Sequence, residues 1–148
     1  MIESGTGRRL PPPLPPKKQV GEIVAAVVAR LTKAWDEFQE NANYDRDAIY
    51  LYLEPVFTVV RKWKKEGLAD KYSLIALKQD DIPGRVKADP YSRLLYCSSR
   101  YDDPKKRSKW AHCMQWVENH NKTGESFTQF VKRHGGINEC ADSERFDR

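Results

Sequence analysis

The chain has 148 residues, of which 39% are hydrophobic and 32% are charged, and it carries a formal net charge of +5. Its length is that of one ordinary domain, and its composition is too apolar for wholesale disorder and too polar for a membrane protein. Its three cysteines are too few and too unevenly spaced for a disulfide framework, and none forms a CxxC pair. This predicts an intracellular location, in the cytoplasm, nucleus or nucleoid.

The N-terminal residues 1–18 predict a flexible, basic tail that is disordered in the free protein. The run Pro11–Pro16 consists of proline except at Leu14. Because proline lacks a backbone N–H and restricts φ, this run favours polyproline II over helix or sheet. Arg9-x-x-Pro12-x-x-Pro15 also fits the pattern of an SH3-domain ligand, so an SH3-like partner for Pro11–Pro16 is the alternative to a passive spacer.

The first helix is predicted from Val20 to Phe38, where apolar residues recur at alternating spacings of four and three. This spacing gives a heptad seam. Ile23, Val28 and Trp35 widen the apolar stripe, which favours burial in a helical bundle over a two-stranded coiled coil. A homodimer through Val20–Phe38 is the alternative.

A second helix is predicted over Ile49–Trp63, where apolar residues keep helical spacing. Pro55 interrupts the pattern, so either the helix kinks there or a new helix begins near it. The shorter apolar run Leu68–Leu77 predicts another helix, with a buried strand through Ser73–Lys78 as the alternative.

Two further helices are marked by the same dipeptide, since Asp89 and Asp103 each precede a proline. Aspartate is a preferred N-cap and proline suits the first helical position, so helices are predicted over Pro90–Cys97 and Pro104–His120. Trp116 falls outside the apolar stripe of the second of these, and we expect it to pack against another element.

The C-terminal part predicts a short helix over Glu125–His134, closed by Gly135-Gly136. A further turn is expected at Ile137–Ala141, and residues 143–148 are expected to fray. The chain as a whole therefore predicts a mainly α, compact multi-helix domain over residues 19–142.

Two cationic clusters, each with a tryptophan, are the strongest functional signal: Arg61-Lys62-Trp63-Lys64-Lys65 and Lys105-Lys106-Arg107-Ser108-Lys109-Trp110. In the first, the 3.6-residue period puts Trp63 on the apolar side and the cations on a solvated face. In the second, the cations occupy the first turns of a helix, where the macrodipole disfavours each by about 0.3–1 kcal/mol. Together with free backbone N–H groups at the helix N-terminus, these cations would form a phosphate-binding site. The alternative, which the sequence supports equally, is that Asp102 and Asp103 neutralise the cations and cap the helix.

These clusters predict a non-enzymatic protein that binds nucleic acid, DNA or RNA, through phosphate contacts. The predicted contact residues are Arg61, Lys62, Lys65, Arg93, Arg100, Lys105, Lys106, Arg107 and Lys109. The alternative function is a protein-interaction or adaptor module that acts through the first helix or the proline-rich tail.

Other chemistry finds little support in the residues. The chain has no GxSxG, no phosphate-cradling glycine loop and no HExxH, so neither catalysis nor a cofactor is predicted. Cys97, His112, Cys113 and His120 lack the spacing of zinc sites. A helix-turn-helix around Gly135-Gly136 would carry Glu139, Asp142 and Glu144 on its reading helix, where phosphates would repel them.

Overall fold

A computed structural model describes residues 16–81, 89–99 and 103–146, which form helices without any strand in these ranges. The mainly α prediction is confirmed, and the strand alternative for Ser73–Lys78 is wrong. Arg100 and the proline-rich run before Pro16 lie outside the described residues. In chain order the helices are α1 (Lys17–Asn41), α2 (Tyr50–Lys65), α3 (Ala69–Gln79), α4 (Pro90–Ser98), α5 (Pro104–His120), α6 (Phe127–Arg133) and α7 (Ile137–Phe146).

The predicted seam of α1 is a core face of the domain. Its apolar residues are buried against α2, α3 and α4, which confirms the bundle interpretation. The homodimer through Val20–Phe38 stays a prediction, with the half-buried and exposed residues of α1 as its available surface. The buried seam residues are Val20, Val24, Val27 and Leu31, with Trp35 buried beside them, whereas Ala34 and Phe38 are half-buried and Ile23 is exposed.

Helix α2 continues through Pro55 as one helix, so the alternative of a new helix near that residue is wrong. Proline has no N–H to donate to the carbonyl of Leu51, four residues earlier. Packing of the buried face of α2, which includes Leu53 and Val60, compensates for the loss of this hydrogen bond.

The two Asp-Pro signals act as predicted. Asp89 accepts a hydrogen bond from the Ser92 backbone N–H at 3.1 Å, and Asp103 accepts one from the Lys105 N–H at 2.9 Å. Each carboxylate supplies an acceptor to a first-turn N–H that would otherwise lack one within the helix. These local contacts fix where α4 and α5 begin.

Helix α7 is longer than the predicted single turn, and residues 143–146 are helical rather than frayed. Its inner face packs on α5, where Cys140, Ala141 and Glu144 are buried. The turn before it uses Gly135 and Gly136 at φ of 99° and 102°, a region that residues with a Cβ rarely adopt. This turn reverses the chain between α6 and α7, so that α7 packs against α5.

An aromatic cluster joins α1, α2 and α5 at the centre of the core. The ring centroid of Trp35 lies 5.0 Å from that of Tyr52 and 6.0 Å from that of Trp110. Tyr52 and Trp110 are 6.1 Å apart in an edge-on arrangement. Such pairs contribute about 0.5–1.5 kcal/mol beyond their buried area.

We expect the protein to lose stability as pH rises from about 10 to about 12. Burial raises the pKa of Tyr52 and of Tyr50 from 10.0 to about 12, and burial with a hydrogen bond to Glu118 raises that of Tyr91. Within this window the unfolded chain loses these protons while the folded chain keeps them, so deprotonation favours unfolding. Below pH 10 their stabilisation is fully present.

Urea unfolding at several pH values, with tyrosinate absorbance followed in parallel, measures this effect. Tyr52→Phe should make the loss shallower, because one of the shifted groups is removed. A midpoint that does not change between pH 9 and 12 contradicts the prediction.

No helix among the described residues is long and apolar enough to cross a membrane.

Candidate nucleic-acid interface

Two lysines of the second cationic cluster, Lys105 and Lys109, line a groove between α5 and α7. Lys105 and Lys109 are four residues apart, so they share one face of α5. Both are exposed, as is Lys106 in the same turn. The groove has a volume of about 440 Å³ and is lined by Lys105, Ser108, Lys109, His112, Ala141, Asp142 and Arg145.

Arg145 is a cation of this groove that the sequence analysis missed. It lies in the last turn of α7, which was expected to fray. The apolar residues Ile137, Cys140 and Ala141 stand at i, i+3 and i+4, and this spacing was the signal that α7 packs on a neighbour. With Lys105 and Lys109, Arg145 makes three cations against the one carboxylate of Asp142 in the groove.

The backbone N–H groups at the start of α5 are already engaged. Pro104 has none, the Lys105 N–H donates to the Asp103 carboxylate at 2.9 Å, and those of Lys106 and Arg107 donate to the Asp103 carbonyl at 3.1 and 3.2 Å. The hypothesis of free N–H groups is wrong, and Asp103 capping the helix is right. An anion would therefore meet lysine and arginine side chains here.

Arg107 faces inward, unlike the lysines around it. It is only 5% exposed, and its guanidinium donates to the Ser99 carbonyl at 3.0 Å and lies 4.8 Å from the Tyr96 ring centroid. A buried, hydrogen-bonded arginine cannot reach a phosphate on the surface without leaving these partners. Its role is to tie α5 to α4, so its inclusion among the phosphate contacts is corrected.

Arg93 is also buried, at 8% exposure. Its guanidinium donates to the Asp70 carboxylate at 2.9 Å and to the Ser73 hydroxyl at 3.2 Å, joining α4 to α3. Asp70 is exposed, so one end of this contact reaches solvent. Arg93 is therefore also corrected from a predicted phosphate contact to a structural residue.

The first cationic cluster is partly neutralised by Glu118 of α5. The carboxylate of Glu118 lies 2.9 Å from the Lys64 ammonium and 3.7 Å from the Arg61 guanidinium, and it accepts a hydrogen bond from Tyr91 at 2.7 Å. Trp63 is buried as predicted. This leaves Lys62 and Lys65 as the exposed cations of the cluster that form no ion pair with a described residue.

The fold does not bring the two clusters into one surface. Arg61 contacts Glu118 near the end of α5, whereas Lys105 stands in the first turn. The thirteen residues between Lys105 and Glu118 correspond to about 20 Å of helix. The candidate interface therefore consists of Lys105, Lys106, Lys109 and Arg145.

The cations before the glycine turn, Lys132 and Arg133, also have protein partners. The Lys132 ammonium lies 2.6 Å from the Asp47 carboxylate, and Arg133 pairs with Glu125. The hydrogen bond from Arg133 lowers the pKa of Glu125. The inner face of α7 also packs on α5. The segment from α6 to α7 therefore offers little support for a helix-turn-helix.

Trp116 packs as expected. Its ring stacks on His120 at a centroid distance of 4.5 Å and lies 5.6 Å from Phe130 and 5.2 Å from His134. These contacts hold α6 against α5. Trp116 is therefore a structural residue between the two helices.

Cys113 and Cys140 meet in the α5–α7 interface, where both are buried. A hydrogen bond with Cys140, together with burial, raises the pKa of the Cys113 thiol. Across the described parts of the chain, no group of three or more histidine, cysteine, aspartate or glutamate residues could hold a metal ion. These thiols serve packing in this arrangement.

The arrangement can bind an anion by charge, through three cations that two helices bring to one groove. Neither a protein-family model, nor a curated protein, nor a solved structure matches the chain significantly.

Proposed function

We propose that this protein binds nucleic acid, without catalysing a reaction on it, through the α5–α7 groove. The observation that carries the proposal is the convergence of Lys105, Lys109 and Arg145 on one groove, with Lys106 exposed beside it. Helix dipoles disfavour cations in a first turn, so folding stability alone does not account for Lys105 and Lys106 there. Binding of a polyanion does account for them.

The length of the groove fits several phosphates rather than a single small anion. From Lys105 to His112 the face of α5 spans about 10 Å. One nucleic-acid strand advances about 3.4 Å per phosphate, so about three phosphates lie within that length. Three cations in the groove match that number.

The contacts available are of the phosphate class, which position nucleic acid without reading its sequence. Exposed lysines and an arginine supply charge and donors, while Asp142 discourages a deeply inserted anion. We therefore expect little sequence preference and a strong dependence on salt. Lys62 and Lys65 would add a separate, weaker contact surface on α2.

The test is fluorescence anisotropy of labelled duplex and single-stranded oligonucleotides with the full chain. The triple variant Lys105→Glu, Lys109→Glu and Arg145→Glu should lose at least about tenfold in affinity, because it turns three attractions into repulsions. On duplex DNA its log–log salt slope should be shallower by about 2–3, at about 0.9 for each lost contact.

A matched control reverses three exposed lysines elsewhere, Lys71, Lys78 and Lys122, and so has the same net charge. The proposal requires that this control bind within about threefold of the unchanged protein. Equal losses in the two triple variants would show that overall charge, and not the groove, governs binding. Unchanged affinity in the groove variant would contradict the proposal directly.

A further inference from the structure

A second groove, between α1 and α2, has a different character from the cationic groove. It has a volume of about 520 Å³ and an apolar floor. The floor is formed by Leu31, Ala34, Leu51, Pro55 and Val59, and the rim includes Arg30, Lys33, Glu37, Glu54 and Lys62.

The floor of this groove leaves apolar surface open to solvent. Leu51 is 45% exposed, although it lies in a helix whose other leucine, Leu53, is fully buried. Ala34, Pro55 and Val59 are half-buried around it. This exposed apolar surface, with polar residues around it, is available for contact with another molecule.

The shape of the groove suits a helix of about three turns. Its α2 wall runs from Leu51 to Lys62, which is about 16 Å at 1.5 Å per residue. Its α1 wall runs from Arg30 to Glu37. Apolar anchors at i, i+4 and i+7 of a docked helix would reach the floor along this length.

The charge of the rim is positive. Arg30, Lys33 and Lys62 form no ion pair with a described residue, and they face only two carboxylates, Glu37 and Glu54. The carboxylate of Glu54 is already engaged, because it accepts hydrogen bonds from the Thr128 N–H at 2.9 Å and hydroxyl at 2.7 Å. The rim therefore carries three cations against two carboxylates, a net charge of +1, and it complements an acidic partner.

Pro55 interrupts the hydrogen bonding of α2 at this groove. Because it has no N–H, the Leu51 carbonyl lacks the donor that a helix would normally provide, and both residues line the groove.

We propose that the α1–α2 groove docks an acidic amphipathic helix of a partner protein, with leucine-like anchors on the apolar floor and carboxylates against Arg30, Lys33 and Lys62. The proposal does not depend on the α5–α7 groove, since it uses another pair of helices, and it shares only Lys62 with the proposed nucleic-acid contacts. The chain's own N-terminal segment suits the groove poorly, because it brings Arg8 and Arg9 against the single acid Glu3.

The probe is a fluorescein-labelled peptide of about 14 residues that is helical, carries leucines at i, i+4 and i+7, and has glutamates on its flanks. We expect the full chain to bind it with a Kd of about 10–100 μM. A peptide with lysines in place of the glutamates should bind at least about tenfold more weakly. Absence of binding by the acidic peptide up to about 1 mM overturns the proposal.

Matched variants locate the binding. Leu51→Gln should weaken the peptide at least about tenfold, whereas Leu74→Gln should not, although Leu74 is almost equally exposed at 41%. Lys33→Glu with Lys62→Glu should weaken it similarly, while Lys71→Glu with Lys78→Glu should not. Circular dichroism confirms that each variant is folded, and peptide binding that Leu51→Gln leaves unchanged contradicts the proposal.

Two other occupants would show themselves in the same experiments. If the protein alone sediments as a dimer and Leu51→Gln makes it a monomer, a second copy fills the groove and the proposal is wrong. If Lys33→Glu with Lys62→Glu weakens oligonucleotide binding and not peptide binding, the surface serves nucleic acid instead.

Discussion

Replacing Trp110 with alanine should lower the free energy of unfolding by about 3–5 kcal/mol. Trp110 is 6% exposed, and its ring contacts Trp35 of α1 and Tyr52 of α2, so truncation removes contacts between three helices at once. Domains of this size are stable by only about 5–15 kcal/mol, and the variant should therefore unfold at a much lower urea concentration. Urea unfolding followed by circular dichroism at 222 nm measures the change.

The control for this prediction is Tyr44→Ala. Tyr44 is 88% exposed, so its truncation should change stability by no more than about 0.5 kcal/mol. If Trp110→Ala lost less than about 1 kcal/mol, the aromatic cluster would not be the junction of α1, α2 and α5 that the geometry indicates.

Replacing Arg107 with methionine should cost about 1–3 kcal/mol of stability. Methionine keeps an apolar stem of similar length but removes the donor to the buried Ser99 carbonyl and the cation above the Tyr96 ring. A buried carbonyl without its partner accounts for most of the expected loss. The same unfolding measurement applies.

The neighbouring residue Lys106 provides the contrasting variant. Lys106→Met should change stability by less than about 0.5 kcal/mol, because its side chain is exposed, and should weaken oligonucleotide binding about two- to tenfold. Folded Arg107→Met should keep its oligonucleotide affinity. If instead Arg107→Met bound more weakly while keeping full stability, the assignment of Arg107 to the core would be wrong.

Local signals in the sequence were sufficient for most of the secondary structure. The Asp-Pro pairs at residues 89–90 and 103–104 place the starts of α4 and α5, because cap chemistry depends on residues two or three positions away. The apolar period of α1 likewise identified its buried face, and the position of Trp63 on the wheel identified it as a core residue.

The helix that the sequence analysis underestimated shows where local signals are weak. The apolar residues Ile137, Cys140 and Ala141 cover little more than one turn of α7, and mostly polar residues separate them from Phe146. Only contact with α5 buries this face, so its helix reflects tertiary packing more than local propensity. The placement of Arg145 in the groove follows from the same contact.

The roles of individual cations were decided by tertiary structure. Arg107 stands among exposed lysines in the sequence, yet α4 supplies it with the Ser99 carbonyl and the Tyr96 ring. Glu118 similarly neutralises Arg61 from 57 positions away in the chain. A sequence pattern predicts which residues share a helix face. It does not predict which helix packs against that face, because that depends on contacts between segments that are distant in the chain. The sequence therefore identified most of the helices, the Asp caps of α4 and α5 and the cationic character, whereas helix packing determined which cations remain at the surface and formed the two grooves.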